Sequence, residues 1–124
     1  MKSSTVLILA MATMAASHAA ANDFKLEYRV ERTEAAALSL DQCADIVRKE
    51  AAEAGYTQSV DRHPGQLVTV TGGPSGGGSS FIVHCIAVDG KTVSVVQAID
   101  YRGRGATAKR FADRVHAALT KAGR

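Results

Sequence analysis

The sequence predicts an α+β fold. A mainly antiparallel sheet of about five strands, in the chain order β-α-β-β-β-β-α, carries two helices on one face as a two-layer sandwich. Three observations predict it. Apolar residues recur at every second position in several segments and at helical spacing in two others. Short turn signals join the strand-like segments after the first helix, so hairpins dominate the connections. Each helical segment has one apolar stripe, which a single sheet face can cover. A length of 124 residues, 46% hydrophobic and 22% charged, suits one domain and excludes disorder along the whole chain.

Residues 1–21 read as an address rather than as part of the fold. Lys2 supplies a basic start, Val6 to Ala16 is a continuous apolar run, and small residues close it at Ser17 to Ala21. The run is shorter than the ~20 residues a bilayer-spanning helix needs. Cleavage after Ala21, with Ala19 as the other candidate, leaves a single domain at 22–124 with no membrane span. Its location is then periplasmic or secreted, where disulfides persist.

Phe24 to Glu31 alternates strictly, with Phe24, Leu26, Tyr28 and Val30 on one side and Lys25, Glu27, Arg29 and Glu31 on the other. Period two predicts a strand whose apolar side is buried. Ser39 and Gln42 are spaced as a capping box, which opens a helix over 40–54. Leu40, Cys43, Ile46, Val47, Ala51 and Ala54 share its inner face, and Gly55 is the left-handed stop. Residues 56–62 and 67–71 flank Pro64-Gly65, the centre of a type II turn. The glycine-rich stretch 72–80 reads as a flexible loop; it lacks the Gly-Lys-Ser/Thr ending of a phosphate loop and precedes a strand. Strands 81–88 and 92–101 flank Asp89-Gly90, the strongest hairpin signal in the chain. Thr107 is the expected N-cap of a second helix, with Ala108, Phe111, Ala112, Val115, Leu119 and Ala122 inward. Lys109, Arg110, Arg114 and Lys121 then face solvent.

Chemistry is sparsely marked. Cys43 and Cys85 both take core-facing positions, are 42 residues apart and lack a CxxC spacing, so in an oxidising compartment they predict one structural disulfide. Arg102 and Arg104 on a glycine turn, with Lys109 and Arg110 one turn further on, form a candidate site for an anion or an acidic partner at a helix N-terminus. His63, His84 and His116 are scattered, and no spacing brings them to Glu50 or Asp100 as a catalytic set. Glu50 is expected to reach past its stripe to water or to an arginine. No metal site, cofactor or nucleic-acid partner is indicated. Charge is uneven: residues 22–61 hold five basic and nine acidic side chains, and residues 62–124 hold nine and three. A basic second helix lying beside an acidic first one accounts for that pattern.

The hairpin turn also fixes a register. If Asp89-Gly90 is a two-residue turn, Val88 pairs with Lys91, Ile86 with Val93, His84 with Val95 and Ile82 with Gln97. Cys85 on the helix side then places Ile82, His84, Ile86, Val93, Val95 and Ile99 on the opposite face. A two-layer fold leaves such an apolar row in water, so a cover is expected: a second copy, the folded-back glycine loop or a greasy ligand. With His84 in the row, a contact there is sensitive to protonation.

The segments FKLEYRVERT (24–33), LSLDQCADIV (38–47) and FIVHCIAVDG (81–90) resemble small uncharacterised secreted proteins of proteobacteria, one of the domain-of-unknown-function families. The resemblance covers the mature length. It implies a periplasmic α+β domain and no catalytic residues. The expected function is a secreted binding or protein-interaction domain without catalysis, partnered by a second copy or by an envelope protein. The competing readings are a small periplasmic hydrolase or anion-handling enzyme using His84 or His116 with a carboxylate, and an inhibitor of a secreted enzyme.

Overall fold

The computed structural model describes residues 24–102 and 106–124. Residues 1–21, read as a signal peptide, and Arg104 of the expected anion site lie outside the described residues. The elements are β1 (Lys25–Glu34), α1 (Leu40–Glu53), β2 (Tyr56–His63), β3 (Leu67–Pro74), β4 (Ser79–Val88), β5 (Lys91–Asp100) and α2 (Thr107–Ala122). Their order is the expected one. The five strands form one antiparallel sheet in the order β1-β5-β4-β3-β2. Strands β2 to β5 make a meander through three hairpins, and β1 adds to its far edge beside β5. The chain must therefore cross the full sheet between β1 and β2, and α1 makes that crossing.

Local chemistry explains most boundaries. At the start of α1 the Ser39 hydroxyl accepts from the Gln42 N–H at 3.1 Å and the Gln42 side chain accepts from the Ser39 N–H at 2.9 Å, the reciprocal capping box. The β4–β5 turn places Asp89 at φ 48° and Gly90 at φ 73°, as a type I′ turn requires. The register it imposes is the expected one throughout, from Val88 opposite Lys91 to Phe81 opposite Ala98.

β1 runs on to Glu34, past the expected Glu31, and two further boundaries differ in kind. The glycine stretch is mostly strand: Gly72 and Gly73 stay in the sheet opposite Gln58 and Thr57, and only residues 75–78 turn. A Cβ on Gly72 would fall on the Thr57 carbonyl oxygen, so glycine is there to let two backbones close rather than to loosen the chain. Thr107 is the first helical residue of α2 and not its cap. Ala106 holds the cap position and offers no side-chain bond to the free N–H groups.

The core lies between the sheet and the helices. Val68 and Val70 of β3, Phe81, Val83 and Cys85 of β4, and Val96 and Ala98 of β5 point into it. Cys43, Val47 and Ala51 of α1 and Phe111, Val115 and Leu119 of α2 meet them. Tyr56, Phe81 and Phe111 stack as a cluster, with ring centroids 4.6 Å apart for the two phenylalanines and 4.9 Å for Tyr56 and Phe111. Cys43 and Cys85 are joined by a disulfide with Cα atoms 6.1 Å apart, tying α1 to β4. The buried Thr92 hydroxyl donates to the Leu38 carbonyl at 2.5 Å and pins the β1–α1 link to β5.

Strand β1 overturns one expectation. Its apolar side is the exposed side: Phe24 and Tyr28 are each 64% exposed, Leu26 47% and Val30 51%. The charged side faces the helices, where Glu27, Arg29 and Glu31 are half-buried. The reason is the neighbour on that side. α2 presents Asp113 over β1, and Arg29 donates to it at 2.7 Å while holding Glu27 at 3.2 Å.

Candidate interaction surface

The face of the sheet away from the helices has two halves. Toward the β2 edge it is polar, with Ser59 and Asp61 on β2 and Thr69 and Thr71 on β3 in cross-strand register. Toward the β1 edge it is apolar. There the rows run Ile86–Val93–Arg32, His84–Val95–Val30, Ile82–Gln97–Tyr28 and Ser80–Ile99–Leu26. Alternation forces this arrangement: once Cys85, Val83 and Phe81 turn inward to the helices, their neighbours must turn outward. The six residues Ile82, His84, Ile86, Val93, Val95 and Ile99 share this face, all half-exposed, and β1 widens it by Leu26, Tyr28 and Val30.

The surface has relief. Leu26, Ile82, Gln97 and Ile99 line a depression of about 240 Å³, and Val30, Arg32, Val88 and Val93 line a second of about 470 Å³. His84 sits at the boundary between the halves, with its Nδ1 2.9 Å from the Thr69 hydroxyl. The glycine turn is held at the end of the sheet, where the Arg102 guanidinium donates to the Gly76 and Gly77 carbonyls at 3.3 and 2.5 Å.

Those bonds bear on the arginine cluster. The Arg102 N–H donates to Asp100 at 2.9 Å, and its guanidinium is committed to the glycine turn. Lys109 bonds Asp113 at 2.5 Å, and the two side chains are one helical turn apart. Arg110 is exposed in a cleft of about 460 Å³ with Tyr56, Thr107, Phe111 and Arg114. Lys109 and Arg29 together hold the Asp113 carboxyl below the usual carboxylate range, the Lys109 bond contributing most. Arg114 is held charged by Glu50 first and Glu53 second, bridging α2 to α1. Glu50 thus does reach an arginine.

The histidines lie apart. His84 is on the open face, whereas His116 is on α2 on the helix side with its Nδ1 buried and unpartnered. His63 is in a third cleft, of about 530 Å³, beside Asp41, whose carboxylate is bonded by Arg62 at 2.8 Å. Glu50 faces α2, and Asp100 ends β5. Among the described residues no three His, Cys, Asp or Glu side chains gather as metal ligands. Among them also, no helix is long and apolar enough to cross a membrane.

The family model described as a family of unknown function, DUF6180, matches residues 23–124. The chain belongs to DUF6180. The match starts one residue before the first described one and spans every element of the sandwich, so the α+β fold with its Cys43–Cys85 disulfide is the structure of this DUF6180 member. No curated protein matches it.

Sequence reasoning missed Leu26, Tyr28 and Val30 as part of the open face. Period two marks a strand with two unlike sides, and nothing within β1 says which side meets the core. The deciding partner, Asp113, is 84 residues away from Arg29.

Proposed function

We propose that the mature chain is a periplasmic or secreted protein-interaction domain that binds through the open apolar face of its sheet and works without catalysis. The observation that carries this reading is the exposed apolar side of β1, continuous with the isoleucine and valine rows of β5 and β4. A contiguous apolar face of this kind on a small domain marks an interaction surface. The disulfide is consistent with an oxidising compartment, and a second copy or an envelope protein is the partner class that suits such a location. A hydrolase reading would need His84 or His116 beside a carboxylate; the sheet separates His84 from Glu50, and Glu50 is held by Arg114. The inhibitor reading would need a projecting loop, and the residue 75–78 turn is short and clamped by Arg102.

The test is site-specific photo-crosslinking in the periplasm of an expressing bacterium. A crosslinker at Val95 is expected to capture a discrete product, and Ile82→Lys in the same protein is expected to abolish it. A crosslinker at Lys121, on the helix side, is expected to capture nothing comparable. Equal labelling from both positions, or none from Val95, overturns the reading.

A further inference from the structure

β1 is an edge strand of ten residues, paired with β5 along its whole length without a bulge and without proline. Edges are ready templates for another strand, and proteins ordinarily guard them with bulges, prolines or charged side chains; β1 has only the last of these. The phase of its free edge can be read from the ladder. The Ala35 N–H bonds the Gly90 carbonyl at 3.0 Å, continuing the β1–β5 register, so the odd-numbered residues of β1 bond to β5. Leu26, Tyr28, Val30 and Arg32 therefore turn their N–H and C=O groups to the open edge, where the Tyr28 C=O accepts from the Arg29 guanidinium at 2.6 Å, a bond that pairing has to share or displace.

The sequence along that edge is complementary to itself when run antiparallel about Tyr28. On the helix side, Lys25 falls opposite Glu31 of a second copy and Glu27 opposite Arg29, so four of four charge pairs are attractive. On the open side Tyr28 meets Tyr28, Leu26 meets Val30, and Phe24 meets Arg32, whose guanidinium can lie on the ring. Centring one residue away puts like charges across the seam: Glu27 on Glu27 in one direction, Arg29 on Arg29 in the other. Centring on Val30 leaves two attractive pairs, Arg29 with Glu31 twice over, and centring on Leu26 gives two among the described residues, Lys25 with Glu27 twice over. The charged pairs occupy the non-hydrogen-bonded positions, where side chains come closest. Among the described residues, Lys25 and Glu31 make no ion pair within the chain, whereas Arg29 is already paired with Glu27 and Asp113, so the Lys25–Glu31 pairs are the ones a second copy adds outright.

We propose that β1 pairs antiparallel with β1 of a second copy in the register centred on Tyr28, joining two five-stranded sheets into one of ten. This deepens the interaction reading, resting on it for the exposure of Leu26, Tyr28 and Val30, and names one partner. The two-fold axis runs through the seam perpendicular to the sheet, so both open apolar faces lie on the same side and merge into one floor.

Sedimentation equilibrium of the purified protein tests the pairing. The wild type is expected to be a dimer. Lys25→Glu and Glu31→Lys are each expected to raise the dimer Kd by about tenfold or more, because each turns two attractive pairs repulsive. The double variant Lys25→Glu/Glu31→Lys is expected to restore the wild-type Kd. Tyr28→Pro removes an outward N–H while leaving the β5 ladder to its neighbours, and is expected to give a monomer with the wild-type circular dichroism. A monomeric wild type, or a failure of the double variant to recover when both single variants fold, overturns the pairing. A dimer that survives Tyr28→Pro but is lost in Val95→Lys also overturns it, assigning the contact to the face and leaving the interaction reading intact. Loss of the Val95 crosslink with the Tyr28-centred dimer retained overturns the interaction reading alone.

Discussion

Phe111 sits where α2, β4 and the start of β2 meet, its ring against both Phe81 and Tyr56. Nothing small could fill that volume, because Phe81 is itself wedged between the helices and the sheet. Phe111→Ala is expected to cost about 3–5 kcal/mol, read from urea unfolding, with an unchanged midpoint as the contrary result. Asp113 acts at the other side of the same helix. Its carboxyl is held low by Lys109 and Arg29, so the stability it contributes is present in full above its unfolded value of about 3.9. That contribution is lost as the pH falls through the lower folded value. The side chains are partly exposed, so the contribution is small, under about 1 kcal/mol, and is best measured at low salt. The melting temperature of Asp113→Asn should lie below that of the wild type at pH 7, and the gap should close below about pH 4. A gap that widens in acid would mean the pairs are not what holds Asp113 ionised.

At the scale of elements, the disulfide and the turn chemistry divide the work. α1 makes a long crossover over the sheet, and the bridge from Cys43 to Cys85 fastens its first turns to β4. With the two cysteines 42 positions apart, the loop-entropy relation gives about 4 kcal/mol for closing that loop in the unfolded chain. Alkylation of the native protein without reductant should add nothing to its mass, and reduction should expose two thiols. The same reduction should lower the melting temperature by on the order of 15 °C. Any alkylation before reduction would show that the native pair is open. The helices, the capping box and the two tight turns were legible because each is written within a few neighbouring residues. The extent of β3 was not: Gly72 and Gly73 look like linker until Thr57 of β2 is brought against them.

For the whole molecule, the uneven charge along the chain resolves through packing. The acidic first half and the basic second half meet in the Arg114 bridge to Glu50 and Glu53, the Arg62–Asp41 pair and the Lys91–Glu34 pair. These contacts draw the excess charge of each half inward to its counterpart, so the asymmetry needs no ligand. The surface that remains unusual is apolar. The two proposals that rest on it, a face that binds and an edge that pairs, are separable by experiment, since Val95 belongs to the face and the Tyr28 N–H to the edge.

The sequence by itself determined what depends on near neighbours: two amphipathic helices, hairpin turns with their register, the choice of Cys43 and Cys85 as the bridge, and the apolar row behind Cys85. These are set by backbone periodicity and turn sterics, which act over a few residues. Only the tertiary structure decided where β1 goes and which of its sides is turned out. That choice rests on contacts between residues far apart in the chain, Arg29 with Asp113 above all, and on β5 being the free edge left by the meander. Alternation carries two unlike faces with equal clarity, and the burial of one of them is a property of what lies above it.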